Sequence, residues 1–119
     1  VHHKDLTVKT WQRRSFCDQM ANIGSEVERA IRWRKKGNTA YCQMAIVRAL
    51  ELLDVTLEIS YPFPVLKEVA RARELLIDYF FGCNEHQTSD SLWQKYFHAF
   101  TLIASKAHCS VQEINSYSP

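Results

Sequence analysis

Residues 21–59, ANIGSEVERAIRWRKKGNTAYCQMAIVRALELLDVTLEI, decide the fold. Around the first half of this stretch, Met20, Ile23, Val27, Ala30 and Ile31 recur at the spacing of a helix that buries one stripe. The run Arg32-Trp33-Arg34-Lys35-Lys36 loads cations onto the last turn, where they oppose the negative end of the helix dipole. Gly37 follows where a left-handed residue is wanted, and Asn38 or Thr39 is placed to cap the next helix. With one or two residues between them, the two helices must lie antiparallel and in contact.

The second helix, from about Thr39 to Ser60, carries charge only at Arg48, Glu51, Asp54 and Glu58. A helix apolar on nearly three sides cannot stand half exposed on a small monomer, so it is either sandwiched among the others or covered by copies of the molecule. Working outward, Ser60-Tyr61-Pro62-Phe63-Pro64 breaks the pattern, since each proline keeps the residue before it out of helical geometry. Pro64 opens a third helix to about Phe81, with Lys67, Arg71, Glu74 and Asp78 on its wet face. Arg73 sits at the rim of the apolar face, snorkelling or paired with an acid.

Gly82 closes that helix, CNEHQTSD (83–90) is a polar loop, and Thr88 to Asp90 offer caps for a fourth helix. Its inward positions are Trp93, Tyr96, Phe97, Phe100, Ile103, Ala104 and Ala107. Upstream, residues 1–9 form a flexible arm, Thr10 or Ser15 opens the first helix, and Trp11 and Phe16 are its first anchors. From His108 the periodicity fades into a loose tail, 108–119.

A chain of 119 residues, 46% hydrophobic, is a single domain able to bury a core without metals or disulfides. Three glycines and three prolines, with no alternating β-branched runs, leave little material for hairpins or phosphate loops. The expected class is all-α, an antiparallel up-down-up-down four-helix bundle. The start VHHKDLTVKT has no apolar h-region and no window approaches the length of a membrane span, so neither a signal peptide nor a membrane partner is expected. Cys17, Cys42, Cys83 and Cys109 form no C-x-x-C pair and suit free thiols in the cytoplasm.

Catalytic and metal chemistry find little support. Cys83-x-x-His86 lacks the second short-spaced pair of a zinc site, and no Glu-x-x-His stands at di-iron spacing. No cysteine has a nucleophile signature, and Glu51, Asp54 and Glu58 read as a solvated or intersubunit stripe. The expectation is a non-enzyme without cofactor or metal.

Charge is more informative. Residues 1–36 hold nine Lys/Arg against four Asp/Glu, a local +5, while the remainder holds six against nine, a local −3. One end is therefore positive. Arg29, Arg32, Trp33, Arg34, Lys35 and Lys36 form the candidate nucleic-acid surface, the cations for phosphates and Trp33 for stacking on an unpaired base. The plain alternative for the same residues is a solvated helix end whose Trp covers a neighbour.

The segments Ile23-Gly24-Ser25-Glu26-Val27, the turn 32–38, Tyr41 and AIVRALELL (45–53) together resemble a family of small four-helix bundles encoded within ribosomal-RNA intervening sequences. That family's Gly-Ser in the second helix is Arg48-Ala49 here. The resemblance implies a cyclic homo-oligomer, often a pentamer. It extends to the accessory proteins of diversity-generating retroelements, similar in architecture, which bind nucleic acid and a reverse transcriptase through basic surfaces. It implies no catalytic residue. The leading expectation is thus an oligomeric scaffold or adaptor for RNA, DNA or a nucleic-acid enzyme. The alternative is a protein–protein assembly module without a nucleic-acid ligand, and a third reading places a small molecule against Trp93, Tyr96 and Phe100.

Overall fold

The computed structural model describes residues 7–117, with side chains for 7–106. The chain is all-helical, in five helices: α1 (Val8–Trp11), α2 (Phe16–Lys35), α3 (Thr39–Leu57), α4 (Phe63–Phe80) and α5 (Asp90–Tyr117). Among the described residues there is no strand, and no helix is long and apolar enough to cross a membrane.

The stripe expected on α2 is the centre of the core. Met20, Ile23, Val27, Ala30 and Ile31 are all buried, and burying each large side chain contributes about 1.5–3 kcal/mol. The α2–α3 corner also forms as its residues dictate. Gly37 takes φ +79°, the Asn38 N–H reaches the Trp33 carbonyl at 2.9 Å and the Gly37 N–H reaches that of Arg34 at 3.0 Å. These two bonds satisfy the orphan carbonyls of a helix end. Asn38 then accepts the Tyr41 N–H at 3.0 Å and starts α3.

α2 packs against α3 and α5, α3 also against α4 and α1. Pairs such as Glu26–Arg48 and Trp33–Tyr41 run in opposite senses along α2 and α3, as do Arg34–Asp90 and Gln94–Glu28 along α2 and α5. Arg73 is the acid-paired rim arginine, 2.6 Å from Asp54 of α3.

α3 is the sandwiched helix of the two alternatives. Cys42, Ala45, Ile46, Ala49, Leu52 and Leu53 are buried among α1, α2 and α4, and what stays outside is its first turn and a half (Thr39, Ala40, Tyr41, Gln43 and Met44) with Asp54 near its end. The chain's own helices thus cover most of its greasy circumference.

Several boundaries differ from expectation. Of the expected arm, residues 1–6 lie outside the described residues, while Thr7 caps α1 by accepting the Thr10 N–H at 3.1 Å. Trp11 then enters the core and donates its indole N–H to Thr56 at 2.8 Å, a partner 45 residues away that no local pattern foretells. Of the two expected openings for the long first helix, Ser15 is the cap, accepting the Asp18 N–H. Buried Gln19 ties the region together: its amide donates to the carbonyls of Trp11 and Arg14 and accepts from the Tyr61 hydroxyl, so its burial costs no unmade bond.

α3 ends at Leu57 and α4 opens at Phe63, one residue before Pro64. Beyond α4 the left-handed residues are Asn84 and Gln87, not Gly82. Asp78 holds this loop by accepting the N–H groups of Glu85 and His86. Ser89 caps α5 by accepting the Leu92 N–H, and the helix runs to Tyr117, past the point where the periodicity fades. Ile103 is exposed, not inward, because α5 turns Phe100 and Ala104 to the core at that level. Ala107 lies outside the described side chains.

Candidate nucleic-acid interface

The six residues singled out on α2 do not share one surface. At about 100° per residue Arg34 falls on the opposite side of the helix from Arg32 and Lys36. It turns inward, where Nη2 donates to the Tyr79 hydroxyl at 2.8 Å and to Asp90 Oδ1 at 2.6 Å. Its guanidinium also lies over the rings of Tyr79 and Phe80, 4.6 and 4.8 Å from their centroids. Burial works against the charge, but the Tyr79 hydrogen bond and the Asp90 carboxylate outweigh it and raise the Arg34 pKa. Arg34 is thus a clasp joining α2 to α4 and α5, its charge already met by Asp90. Burial, with the Asp90 hydrogen bond second, likewise pushes the Tyr79 phenol up.

Arg29 and Arg32 stay exposed but meet acids. Arg29 donates to Glu26 at 2.8 Å, and the other oxygen of Glu26 takes Arg48 of α3 at 2.9 Å. Two arginines share one carboxylate, which leaves a positive charge in excess. Arg32 is 3.6 Å from Glu28 with 71% of its side chain exposed, a loose pair of the kind worth less than about 1 kcal/mol.

At the corner itself Trp33 is half-buried. The Lys36 ammonium lies 5.1 Å from its ring centroid, and Tyr41 meets the indole edge-to-face at 4.8 Å. Such a cation–ring contact is worth about 0.5–1 kcal/mol at an exposed site. Neither Lys35 nor Lys36 makes an ion pair among the described residues, and both are exposed. Tyr41 and Met44 are 49% and 55% exposed beside them. The corner therefore offers two available cations and two aromatic rings.

A groove of about 560 Å³ runs beside this flank between α2 and α5, with Ser25, Glu28, Arg29 and Arg32 on one wall and Gln94, His98 and Thr101 on the other. Its depth depends on Gly24, which lets Phe97 approach the α2 backbone. Sequence reading missed Tyr41 and His98 as surface partners, since both depend on which helix faces which. It also missed Tyr79 and Asp90 as the partners of Arg34. The only advance signal was that Arg34 sits out of register with the exposed stripe.

Trp93 lines this groove, whereas Tyr96 and Phe100 pack on one another 5.3 Å apart and do not. The Tyr96 hydroxyl is buried, and burial, then the neighbouring Glu68 carboxylate, push its pKa up. Cys17, Cys42 and Cys83 are free thiols. Among the described residues no group of three or more His, Cys, Asp or Glu is arranged to hold a metal.

No family model matches the chain, and comparison with curated proteins and with solved structures returns no match.

Proposed function

We propose that this chain is a non-enzymatic adaptor: an antiparallel up-down-up-down bundle of α2 to α5 that associates with copies of itself and binds single-stranded RNA or DNA at the α2–α3 corner. The observation that carries the reading is the Lys36–Trp33–Tyr41 cluster, with Lys35 and Lys36 free of acidic partners among the described residues. An unpaired base can take the place of the lysine over the indole while the displaced ammonium meets the phosphate, which is how strand binders combine stacking with backbone charge. The helix contacts are compatible with the bundle, and the resemblance to the intervening-sequence bundles supports both it and a cyclic assembly. Free thiols suit a cytoplasmic setting.

The test is fluorescence-anisotropy binding of a mixed single-stranded pool to the wild type and to Lys35→Glu/Lys36→Glu. A loss of tenfold or more on reversal supports the corner; equal binding by both removes it. Self-association without a nucleic-acid ligand is the second reading, favoured by the exposed Leu102 and Ile103 on α5. It predicts that neither protein binds the pool.

A further inference from the structure

We propose that the groove between α2 and α5 is a continuation of the corner, holding the next phosphodiesters of the same single strand between Arg29 and Arg32 on one wall and His98 on the other. The inference rests on the corner reading and adds the length and path of the ligand. Lys36, Arg32, Arg29 and Ser25 follow one another at spacings of four, three and four residues and are all exposed. They mark a line about 16 Å long on one flank of α2. That is room for about four nucleotides, the low end of single-strand sites.

The line leads into the groove, whose wall it forms. The charge there suits a phosphate chain. The excess cation of the Arg29–Glu26–Arg48 group lies on the rim, and Arg32 can leave its loose pair with Glu28 at little cost. Gln94 donates one amide N–H to Glu28 at 3.4 Å and keeps the second for a phosphate, while the Ser25 and Thr101 hydroxyls donate to the Ala21 and Phe97 carbonyls of their own helices and would exchange those bonds for it. A duplex carries its phosphates on a cylinder too broad for a channel between two packed helices, so the ligand class is single-stranded. Glu28, a carboxylate in the same groove, opposes an anion and supplies a variant with the opposite sign of effect.

The experiment compares a trinucleotide with an oligothymidylate of about ten nucleotides on the whole chain, by anisotropy at fixed salt. The wild type is expected to hold the longer strand about tenfold more tightly. His98→Glu, an exposed position on α5, should remove that gain and leave the trinucleotide unchanged. Glu28→Gln should tighten the longer strand about threefold, which a damaged fold cannot do. The groove is overturned if length brings no gain, or if both variants bind the longer strand as the wild type does. Loss on Lys35→Glu/Lys36→Glu without loss on His98→Glu keeps the corner and removes the groove; no binding of either strand removes both. Capture of a polyglutamate peptide that His98→Glu abolishes, in place of the oligonucleotide, would also overturn the strand proposal.

Discussion

Gly24 lies so close beneath Phe97 that a Cβ on it would stand 2.5 Å from the Phe97 Cβ and 2.8 Å from its Cγ. Because the Phe97 Cβ is fixed by its backbone, no rotamer change can relieve the closer of these contacts, and α5 would have to back away from α2.

Gly24→Ala is therefore expected to destabilise the fold by about 1–3 kcal/mol through overpacking, even though alanine improves helix propensity by up to about 1 kcal/mol. Urea denaturation followed by circular dichroism measures it. A stabilised variant would mean that the α2–α5 contact is looser than described.

Arg34 joins three helices, so Asp90→Ala should cost about 1–2 kcal/mol, a charge-assisted bond discounted for its partial exposure. A double-mutant cycle with Arg34→Ala should return a coupling of about 0.5 kcal/mol or more. Simple additivity of the two single losses would show that the clasp contributes nothing.

Asp78 predicts a pH signature. Burial acts to raise its carboxyl, but the N–H groups of His86 and Glu85, then the His86 ring, outweigh it and hold the pKa below the ordinary value. A depressed carboxylate adds stability that is complete above its unfolded pKa and is lost as pH falls through the folded one. The difference in denaturation midpoint between wild type and Asp78→Asn should thus be steady near neutrality and shrink on acidification through and below the usual carboxylate range. A difference that stays constant into that range would refute the capping role.

Self-association should centre on α5. Leu102 and Ile103, 48% and 52% exposed, are expected to lose exposure in the assembly, so Leu102→Lys/Ile103→Lys should convert it to monomer in sedimentation velocity. A wild type that sediments at 13.9 kDa at micromolar concentration contradicts the assembly.

What the sequence made legible was what depends on neighbours along the chain: the α2 stripe, the Gly37 turn, the Asn38 cap and the polar loop before α5. What it hid depends on partners far away. Trp11 reads as the start of a helix until Thr56 is seen to take its indole N–H. Arg34 reads as one more cation in a basic run until Tyr79 and Asp90, 45 and 56 residues on, are seen to hold it. The hydrophobic girth of α3 was plain, but whether sister helices or sister molecules cover it is a question of topology that composition leaves open. The candidate site was legible in kind, and its members had to be sorted by helix face and by ion pairing.

The most direct test of the central claim, that unpaired cations at the α2–α3 corner bind a single strand, is the affinity for an oligothymidylate of about ten nucleotides measured against salt. Each phosphate neutralised on a single strand contributes about −0.7 to the log–log slope, so Lys35 and Lys36 alone predict about −1.4, and the groove arginines bring it toward −2.8. Lys35→Glu/Lys36→Glu should carry the slope toward zero along with the affinity. A wild-type slope near zero, or one that the double reversal leaves unchanged, would contradict the account.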